Sequence, residues 1–337
     1  MSPEIAQTQS TNIDPYQIIQ ITPNPDGSIT RNSNWSKTPA TPDPPHHIPV
    51  LSKDVIINQS TNVWARIFLP RRQTLESSSS NNKLPLIVFY HGGGFVICSA
   101  DLSAFHNFCL NMAVELQAVV VSVEYRLAPE NRLPAAYDDA VEALHWIKAT
   151  QEEWLTKYAD FSKCFLMGSS AGGNIACHAG LRVATEVDNL LPLQIKGMIL
   201  HQPFFGGVKR SSSELRLIND MVLPVCASDV LWDLSLPLGA DRDHEYSNPT
   251  VEGGSKVVLD KIKSLGWKVM VTGCDGDPLV DRQTEVVKWM EQKGVQVVGH
   301  FAEGGFHGVE FVNPSKAEAM ISQLKDFIFS STPKLAA

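Results

Sequence analysis

The chain has 337 residues, of which 43% are hydrophobic, 19% charged and 8% aromatic. Its 28 basic and 36 acidic side chains give a formal net charge of −8, so nothing in the charge balance points to nucleic acid or an anionic membrane as a partner. No apolar run approaches the roughly 20 residues that span a bilayer. The composition predicts a soluble globular protein with a core large enough for one or two domains.

The first 50 residues are rich in proline, asparagine and threonine and are predicted to form an extended arm, with one short helix near residues 16–21. They lack the early basic residue and the apolar stretch of a secretory signal peptide. The six cysteines contain no CxxC pair and lie mostly in apolar segments, as is typical of buried free thiols in a reducing compartment. We therefore expect a cytoplasmic protein.

From residue 52 onward, short segments rich in β-branched and aromatic residues predict strands. They lie at 54–57, 63–69, 86–90, 119–123, 165–167, 195–200, 269–271 and 295–298. Apolar residues with a helical period occupy 133–147 and 317–328, and Asn313 and Pro314 stand at the N-cap and first position of the last helix. Strands that alternate with helices predict an α/β fold with a mostly parallel central sheet flanked by helices.

This alternation stops between Pro203 and about Lys261. Two short helical patterns occur there. Ser211 and Glu214 have the spacing of a capping box for the first, and Ser228 is a candidate cap for the second. An insertion of this length after a strand predicts either a lid or an additional packing layer.

The sharpest motif is Gly-Ser-Ser-Ala-Gly at 168–172, which lies between a predicted strand and a predicted helix. A G-x-S-x-G sequence in that context is typical of a nucleophile elbow, a tight turn that presents the central serine at a helix N-terminus. A second motif, His-Gly-Gly-Gly at 91–94, follows the strand at 86–90. Glycines let backbone N–H groups approach a reacting carbonyl closely, as an oxyanion hole requires. The two motifs together make Ser170 the candidate nucleophile.

A serine nucleophile needs a general base and a carboxylate that orients it, and in α/β-hydrolases these follow the serine in the order acid, then histidine. His307 lies in a glycine-rich loop after the last predicted strand and fits the base. Asp277 is the preferred acid because Asp281 would open a helix, where an acidic residue is a normal cap; spacing alone leaves Asp275 open. No Glu or His lies at ligand spacing within the aspartate loop, so we expect no metal and no cofactor.

At this point the chain resembles the plant carboxylesterases of the hormone-sensitive-lipase-like branch of the α/β-hydrolase superfamily. The resemblance is carried by His-Gly-Gly-Gly-Phe at 91–95, Tyr-Arg-Leu-Ala-Pro-Glu at 125–130, Leu-Pro-Ala-Ala-Tyr-Asp-Asp at 133–139, the elbow at 168–174, Asp-Arg-Asp-His-Glu-Tyr at 241–246, Asp-Pro-Leu-Val-Asp at 277–281 and His307. It implies one α/β-hydrolase domain over 1–337, with a helical cap formed by about 1–50 and 203–261.

The same resemblance implies roles for individual residues. The first aspartate of the Asp-Pro-Leu-Val-Asp run is the family's triad acid, which supports Asp277. Gly93, Gly94 and Ala171 would supply the oxyanion donors, and Gly92 would shape their turn. Two positions depart from the family pattern: Ser169 stands where an acidic residue is common, and Asn131 where histidine is usual.

The leading hypothesis is a serine carboxylesterase that hydrolyses small to medium lipophilic esters. Two alternatives are a non-hydrolytic lyase, dehydratase or cyclase of specialised metabolism on the same fold, and a hormone receptor, although the related receptors have lost the histidine that is present here as His307. Five apolar residues are candidates for the lining of a substrate pocket, although packing in the core explains each of them equally well: Phe95, Phe204, Phe205, Met221 and Trp232. We expect a monomer or a loose dimer.

Overall fold

The computed structural model describes residues 14–43, 45, 47–71, 83–251 and 256–330. The strands of these ranges are β1 Ile21–Pro23, β2 Ile29–Arg31, β3 Val50–Asn58, β4 Val63–Pro70, β5 Leu84–Tyr90, β6 Val119–Glu124, β7 Ala159–Ser169, β8 Ile195–His201, β9 Lys268–Cys274 and β10 Gln296–Ala302. Their helices are α1 Pro15–Ile18, α2 Ser103–Leu116, α3 Ala135–Ala149, α4 Glu153–Tyr158, α5 Ala171–Ala184, α6 Ser212–Arg216, α7 Val225–Ser235, α8 Lys256–Ser264, α9 Val280–Gln292 and α10 Pro314–Phe329.

Strands β3 to β10 form one eight-stranded sheet in the order β10-β9-β8-β7-β5-β6-β4-β3. The neighbours from β10 to β6 are parallel, and β4 is antiparallel to both β6 and β3. The predicted mostly parallel sheet is therefore confirmed. Because crossover connections put successive parallel strands in the same direction, the loops that follow β5, β7, β8, β9 and β10 meet at the carboxyl edge of the sheet.

The sheet is buried on both faces. Leu86, Val88 and Tyr90 of β5 belong to a core that includes residues of α3 and α5, whereas Ile87 and Phe89 belong to a second core with α2 and α10. Successive side chains of a strand point to opposite faces, so a strand covered by helices on both sides must be apolar at every position. This explains why the strands were recognisable as continuous apolar segments.

The sequence predicts helix caps at three positions, and the structure has a cap at two of them. The Asn313 side chain accepts a hydrogen bond from the backbone N–H of Lys316, as predicted for the cap of α10, and Ser211 and Glu214 form the predicted capping box of α6. The prediction for Ser228 is wrong. Helix α7 begins at Val225 behind Pro224, whose extended conformation (φ −60°, ψ 151°) starts the helix earlier, so Ser228 lies inside its first turn.

The N-terminal arm is more structured than predicted. The short helix is α1, but the chain then forms the hairpin of β1 and β2, whose connection includes Gly27 in a left-handed conformation (φ +84°). Arg31 at the end of this hairpin donates to the carbonyls of Val96 and Ala128 at 2.6 and 2.8 Å and pairs with Glu130. The arm is thereby attached to the loops that follow β5 and β6.

Helix α7 of the insertion packs against α1 of the arm, and its Leu231 and Trp232 side chains are buried in the main core. Ser213 of α6 donates its N–H to the carboxylate of Asp281 at 2.7 Å and its hydroxyl to the carbonyl of Pro278 at 2.7 Å. The insertion therefore lies over the loop that follows β9. In the part of the chain that the structure describes, every helix is too short or too polar to cross a membrane.

Candidate active site

Ser170 occupies the tight turn between β7 and α5 in an unusual backbone conformation (φ +55°, ψ −119°). A Cβ at Gly172 would overlap the carbonyl oxygen of Tyr90, and one at Gly168 would overlap the carbonyl of Gly172, so both positions require glycine. The Ser170 N–H donates to the carbonyl of His201 at 2.9 Å. These contacts hold a strained serine at the carboxyl edge of the sheet, which is the geometry of a nucleophile elbow.

The structure brings the three predicted triad residues into one chain of contacts. The Nε2 atom of His307 lies 2.9 Å from Ser170 Oγ, and its Nδ1 atom lies 2.9 Å from Asp277 Oδ2. The two other aspartates have different partners. Asp275 accepts the N–H of Gly304 at 2.8 Å, and Asp281 accepts the N–H of Ser213. Of the three candidates, only Asp277 contacts the imidazole.

Asp277 is fully buried and is held by donors on both oxygens. Its Oδ1 atom accepts the backbone N–H of Leu279 at 2.9 Å, and its Oδ2 atom accepts the side-chain N–H of Gln283 at 2.9 Å in addition to facing His307. These bonds fix the carboxylate before any substrate binds. Sequence reasoning missed Gln283 because a glutamine on the buried face of a helix carries no motif.

The carboxylates around His307 favour its charged form. Burial of the imidazole lowers its pKa, but the charge and hydrogen bond of Asp277, together with the charges of Glu310 and Asp220, outweigh burial and leave the pKa above its ordinary value. A raised pKa makes this histidine a stronger base, and its neighbours stabilise the imidazolium that forms when it takes a proton.

The glycines after β5 lie beside the nucleophile. A Cβ at Gly92 would be 3.3 Å from the Cβ of Ser170, and Gly93 (φ +113°) and Gly94 (φ +59°) have backbone conformations that other residues rarely adopt. Within the described ranges, the N–H groups of Gly93 and Gly94 have no acceptor. Ala171 is the first residue of α5, where the helix leaves N–H groups without an intrahelical partner. The arrangement offers several donors to an oxygen atom bound next to Ser170.

The predicted apolar pocket requires correction. Phe95, Phe204, Phe205 and Trp232 are at most 2% exposed, and the rings of Phe204 and Trp232 stack with centroids 4.5 Å apart. Side chains this deeply packed present no open face, so they form core, the alternative that the sequence left open. Met221 is 90% exposed and faces solvent, because it lies in the irregular segment between α6 and α7.

Sequence reasoning also missed a buried group next to the triad. The imidazole of His201 lies 2.7 Å from the hydroxyl of Thr272 through Nδ1, and its Nε2 atom lies 3.3 Å from a carboxylate oxygen of Glu310. Burial raises the pKa of Glu310, but the contact with His201 more than offsets this and leaves that pKa below its ordinary value. The pair fastens the turn after His307 to the end of β8.

Known proteins resemble this chain over most of its length. The sequence model of a family described by the alpha/beta hydrolase fold matches residues 87–311. Carboxylesterase 20 of Arabidopsis thaliana is 55% identical over 318 residues, which cover 94% of this chain and 97% of that protein. A 3-O-acetylpapaveroxine carboxylesterase of Papaver somniferum is 45% identical over 325 residues, covering 94% of this chain and 99% of that protein. Among solved structures, an esterase of Pyrobaculum calidifontis superposes with a TM-score of 0.68 at 25% identity, covering 85% of this chain and 86% of that one.

Proposed function

Because the chain belongs to the α/β-hydrolase family and, within it, to the plant carboxylesterases, it is a serine carboxylic ester hydrolase, and we propose that Ser170, His307 and Asp277 carry out the hydrolysis through an acyl-enzyme. The observation that carries this proposal is the unbroken contact from Ser170 Oγ through His307 to Asp277, with both distances at 2.9 Å. The same contact argues against the receptor alternative, which lacks the histidine.

In the first half of the reaction, Ser170 Oγ attacks the ester carbonyl carbon while His307 Nε2 takes the hydroxyl proton. The carbonyl oxygen becomes an oxyanion that accepts hydrogen bonds from the N–H groups of Gly93, Gly94 and Ala171, in the turn that Gly92 shapes. The tetrahedral intermediate then collapses, the bond to the alcohol oxygen breaks, and the imidazolium of His307 returns its proton to the departing alcohol.

In the second half, water attacks the acyl carbon of Ser170 and His307 Nε2 takes the proton of this water. The new intermediate collapses to release the carboxylic acid, and Ser170 regains its proton from His307. Throughout both halves, Asp277 holds the imidazole through Nδ1 in the tautomer whose Nε2 faces the serine. The hydrogen bonds from Leu279 and Gln283 keep that carboxylate in place.

We propose small to medium lipophilic esters as substrates and a cap built from about 1–50 and 203–261, of which residues 1–13, 44, 46 and 252–255 lie outside the described ranges. Support for the cap comes from the packing of α1 against α7 and from the contact of Ser213 with the loop after β9. The substrate class is supported by the carboxylesterases that the chain resembles, including one named for 3-O-acetylpapaveroxine. A cytoplasmic location is supported by the free thiols of Cys109, Cys164 and Cys177, which are buried in the core.

A fluorophosphonate probe tests the proposed nucleophile. We expect it to label about one serine per chain, at Ser170, because only a serine activated by a neighbouring base attacks phosphorus rapidly. The readout is mass spectrometry of the labelled peptide together with the loss of 4-nitrophenyl acetate hydrolysis. Heat-denatured protein is the control and should stay unlabelled. Full inhibition without modification of Ser170 would contradict the proposal.

The pH dependence tests the proposed base. Since His307 must be neutral to accept a proton, kcat/KM should fall as the pH drops through the pKa of His307, with a midpoint above the ordinary value of 6.5. Glu310→Gln removes one of the charges that raise this pKa and should move the midpoint to lower pH. Glu318→Gln, a change at an exposed position of α10, is the matched control and should leave it unchanged. A midpoint below 6.5 in the unmodified enzyme would contradict the raised pKa of His307, and the absence of any acid limb in kcat/KM would contradict its role as the base.

A further inference from the structure

The residue immediately after β8, Gln202, has features that the proposed mechanism does not use. Its side chain is fully buried and its backbone is in the left-handed region with φ +42°, which is unfavourable for a residue other than glycine. Its N–H donates to the carbonyl of Thr272 in β9 at 2.9 Å. Gln202 is therefore a strained, buried polar residue at the carboxyl edge of the sheet, and its side-chain contacts show what it binds there.

The side-chain amide of Gln202 binds the chain on both sides of His307. Its Oε1 atom accepts the N–H of Gly308 at 2.6 Å, and its Nε2 atom lies 3.4 Å from the carbonyl oxygen of Phe306, to which it donates. The thiol of Cys274, which also approaches that carbonyl, lies 3.6 Å from the same Nε2 atom. One side chain thus meets both hydrogen-bonding groups next to the catalytic histidine.

These two contacts determine the orientation of His307. The carbonyl of Phe306 belongs to the peptide unit that precedes the histidine, and the N–H of Gly308 belongs to the unit that follows it. Because peptide units are planar, fixing both units fixes the two backbone dihedral angles of His307 and the direction of its Cα–Cβ bond. The imidazole then needs only its side-chain torsions to be set, and Asp277 sets these through Nδ1.

The turn around His307 is closed by a hydrogen bond of its own, from the N–H of Val309 to the carbonyl of Phe306 at 3.1 Å, but the loop is rich in glycine. Gly304, Gly305 and Gly308 all have positive φ angles, of +67°, +122° and +80°. Glycine has access to more backbone conformations than any other residue, so such a loop needs external contacts to hold one geometry. A base that must lie 2.9 Å from both Ser170 Oγ and Asp277 Oδ2 depends on those contacts.

We propose that Gln202 is a positioning residue for the general base: its amide clamps the two peptide units that flank His307 and so sets the geometry of proton transfer between Ser170 and His307. Gln202 touches no reacting atom and acts only through the histidine. The inference rests on the role proposed above for His307.

The test variant is Gln202→Met, which keeps the length and approximate volume of the side chain and removes both hydrogen bonds. We expect kcat to fall by about 10- to 100-fold and KM to change by less than about twofold, since a small misplacement of a catalytic group slows the chemical step without weakening substrate binding. Gln117→Met is the matched control: Gln117 also has a positive φ, of +45°, but it lies at the end of α2, and its side chain donates to the carbonyl of Val114, far from His307 in the fold. Its kcat should equal that of the unmodified enzyme.

Active-site titration separates positioning from folding. A fluorophosphonate probe counts competent serines, and kcat is divided by that count. Positioning predicts that Gln202→Met is labelled completely but slowly, and that kcat per labelled serine stays reduced. If the variant is labelled only in part and kcat per labelled serine is normal, Gln202 merely stabilises the fold and the proposal is overturned.

A double-mutant cycle with His307→Ala tests whether Gln202 acts through the histidine. In that background Gln202→Met should cause no further loss, because effects of residues that act as a unit are not additive. A further loss of the same size as in the unmodified enzyme would overturn the clamp. If His307→Ala alone retains full activity, the proposed triad fails instead, so the two failures give different results.

Discussion

Ser170→Ala is expected to lower the kcat for hydrolysis of 4-nitrophenyl esters by about 10⁶-fold, since removal of the nucleophile from a Ser-His-Asp unit costs nearly as much as removal of the whole unit. The remaining rate would come from the oxyanion donors and from substrate binding alone. The variant should fold normally, because the Ser170 hydroxyl contacts only His307 Nε2 among the described residues. The measurement is kcat on purified protein, with the thermal midpoint recorded for each variant.

Ser169→Ala is the matched control for this experiment. Ser169 precedes the nucleophile at the end of β7 and is 2% exposed, so it is more buried than the half-buried Ser170, and its side chain makes no hydrogen bond with His307 among the described residues. Its substitution should leave kcat within about threefold. The informative contrary result would be a Ser170→Ala variant with full turnover beside an inactive His307→Ala variant. That pair would mean that the pocket uses acid–base chemistry without an acyl-enzyme, as a lyase or cyclase does.

The second large effect is expected from Asp277→Asn, which should lower kcat by about 10⁴-fold with little change in the overall structure. The carboxylate of Asp277 accepts from Leu279 and Gln283 and faces His307 Nδ1. An asparagine has only one acceptor oxygen, so its NH₂ group faces either the N–H of Leu279 or both Gln283 and His307. When it faces His307, the imidazole is driven to the wrong tautomer, with its proton on Nε2 where a lone pair is needed.

Asp275→Asn in the same loop provides the comparison. Asp275 accepts the N–H of Gly304, two residues before the loop reaches Phe306, and does not contact the imidazole. We expect its kcat to stay within about tenfold of the unmodified enzyme. If Asp275→Asn lost more activity than Asp277→Asn, the acid would have been assigned to the wrong aspartate. Circular dichroism and the thermal midpoint of both variants establish that the loop has kept its fold.

The fold and the triad could be predicted because their signals are local. Strand-sized apolar segments and helical periods predict the alternation of strands and helices. The G-x-S-x-G sequence at 168–172 predicts the tight turn that it forms. Parallel connections then bring the ends of β7, β9 and β10 to one edge, so chain order places Ser170, the aspartate loop and His307 together, and the family resemblance favours Asp277 over Asp275 within that loop.

The contacts that support the triad carry no sequence motif. Those of Gln202 are distant in sequence, since the carbonyl and N–H groups that it binds lie 104 and 106 residues further along the chain. Gln283 is only six residues from Asp277, in the first turn of α9, but a single buried glutamine there has no recognisable pattern. Phe95 and Trp232 show a second limit of the sequence. An aromatic residue near a motif looks the same in the sequence whether it lines a pocket or packs in the core, and only its burial in the structure separates the two.

The position of β10 has a consequence for the order in which the enzyme is completed during synthesis. This strand is the last of the sheet along the chain and lies at its edge, paired on one side with β9. The elbow and the glycine donors therefore emerge from the ribosome more than a hundred residues before the histidine that follows β10. A nascent chain with its serine already in the turn has no base to activate it. If Ser170 and His307 act as proposed, we expect the serine to become activated only after β10 and the loop that follows it have docked against β9.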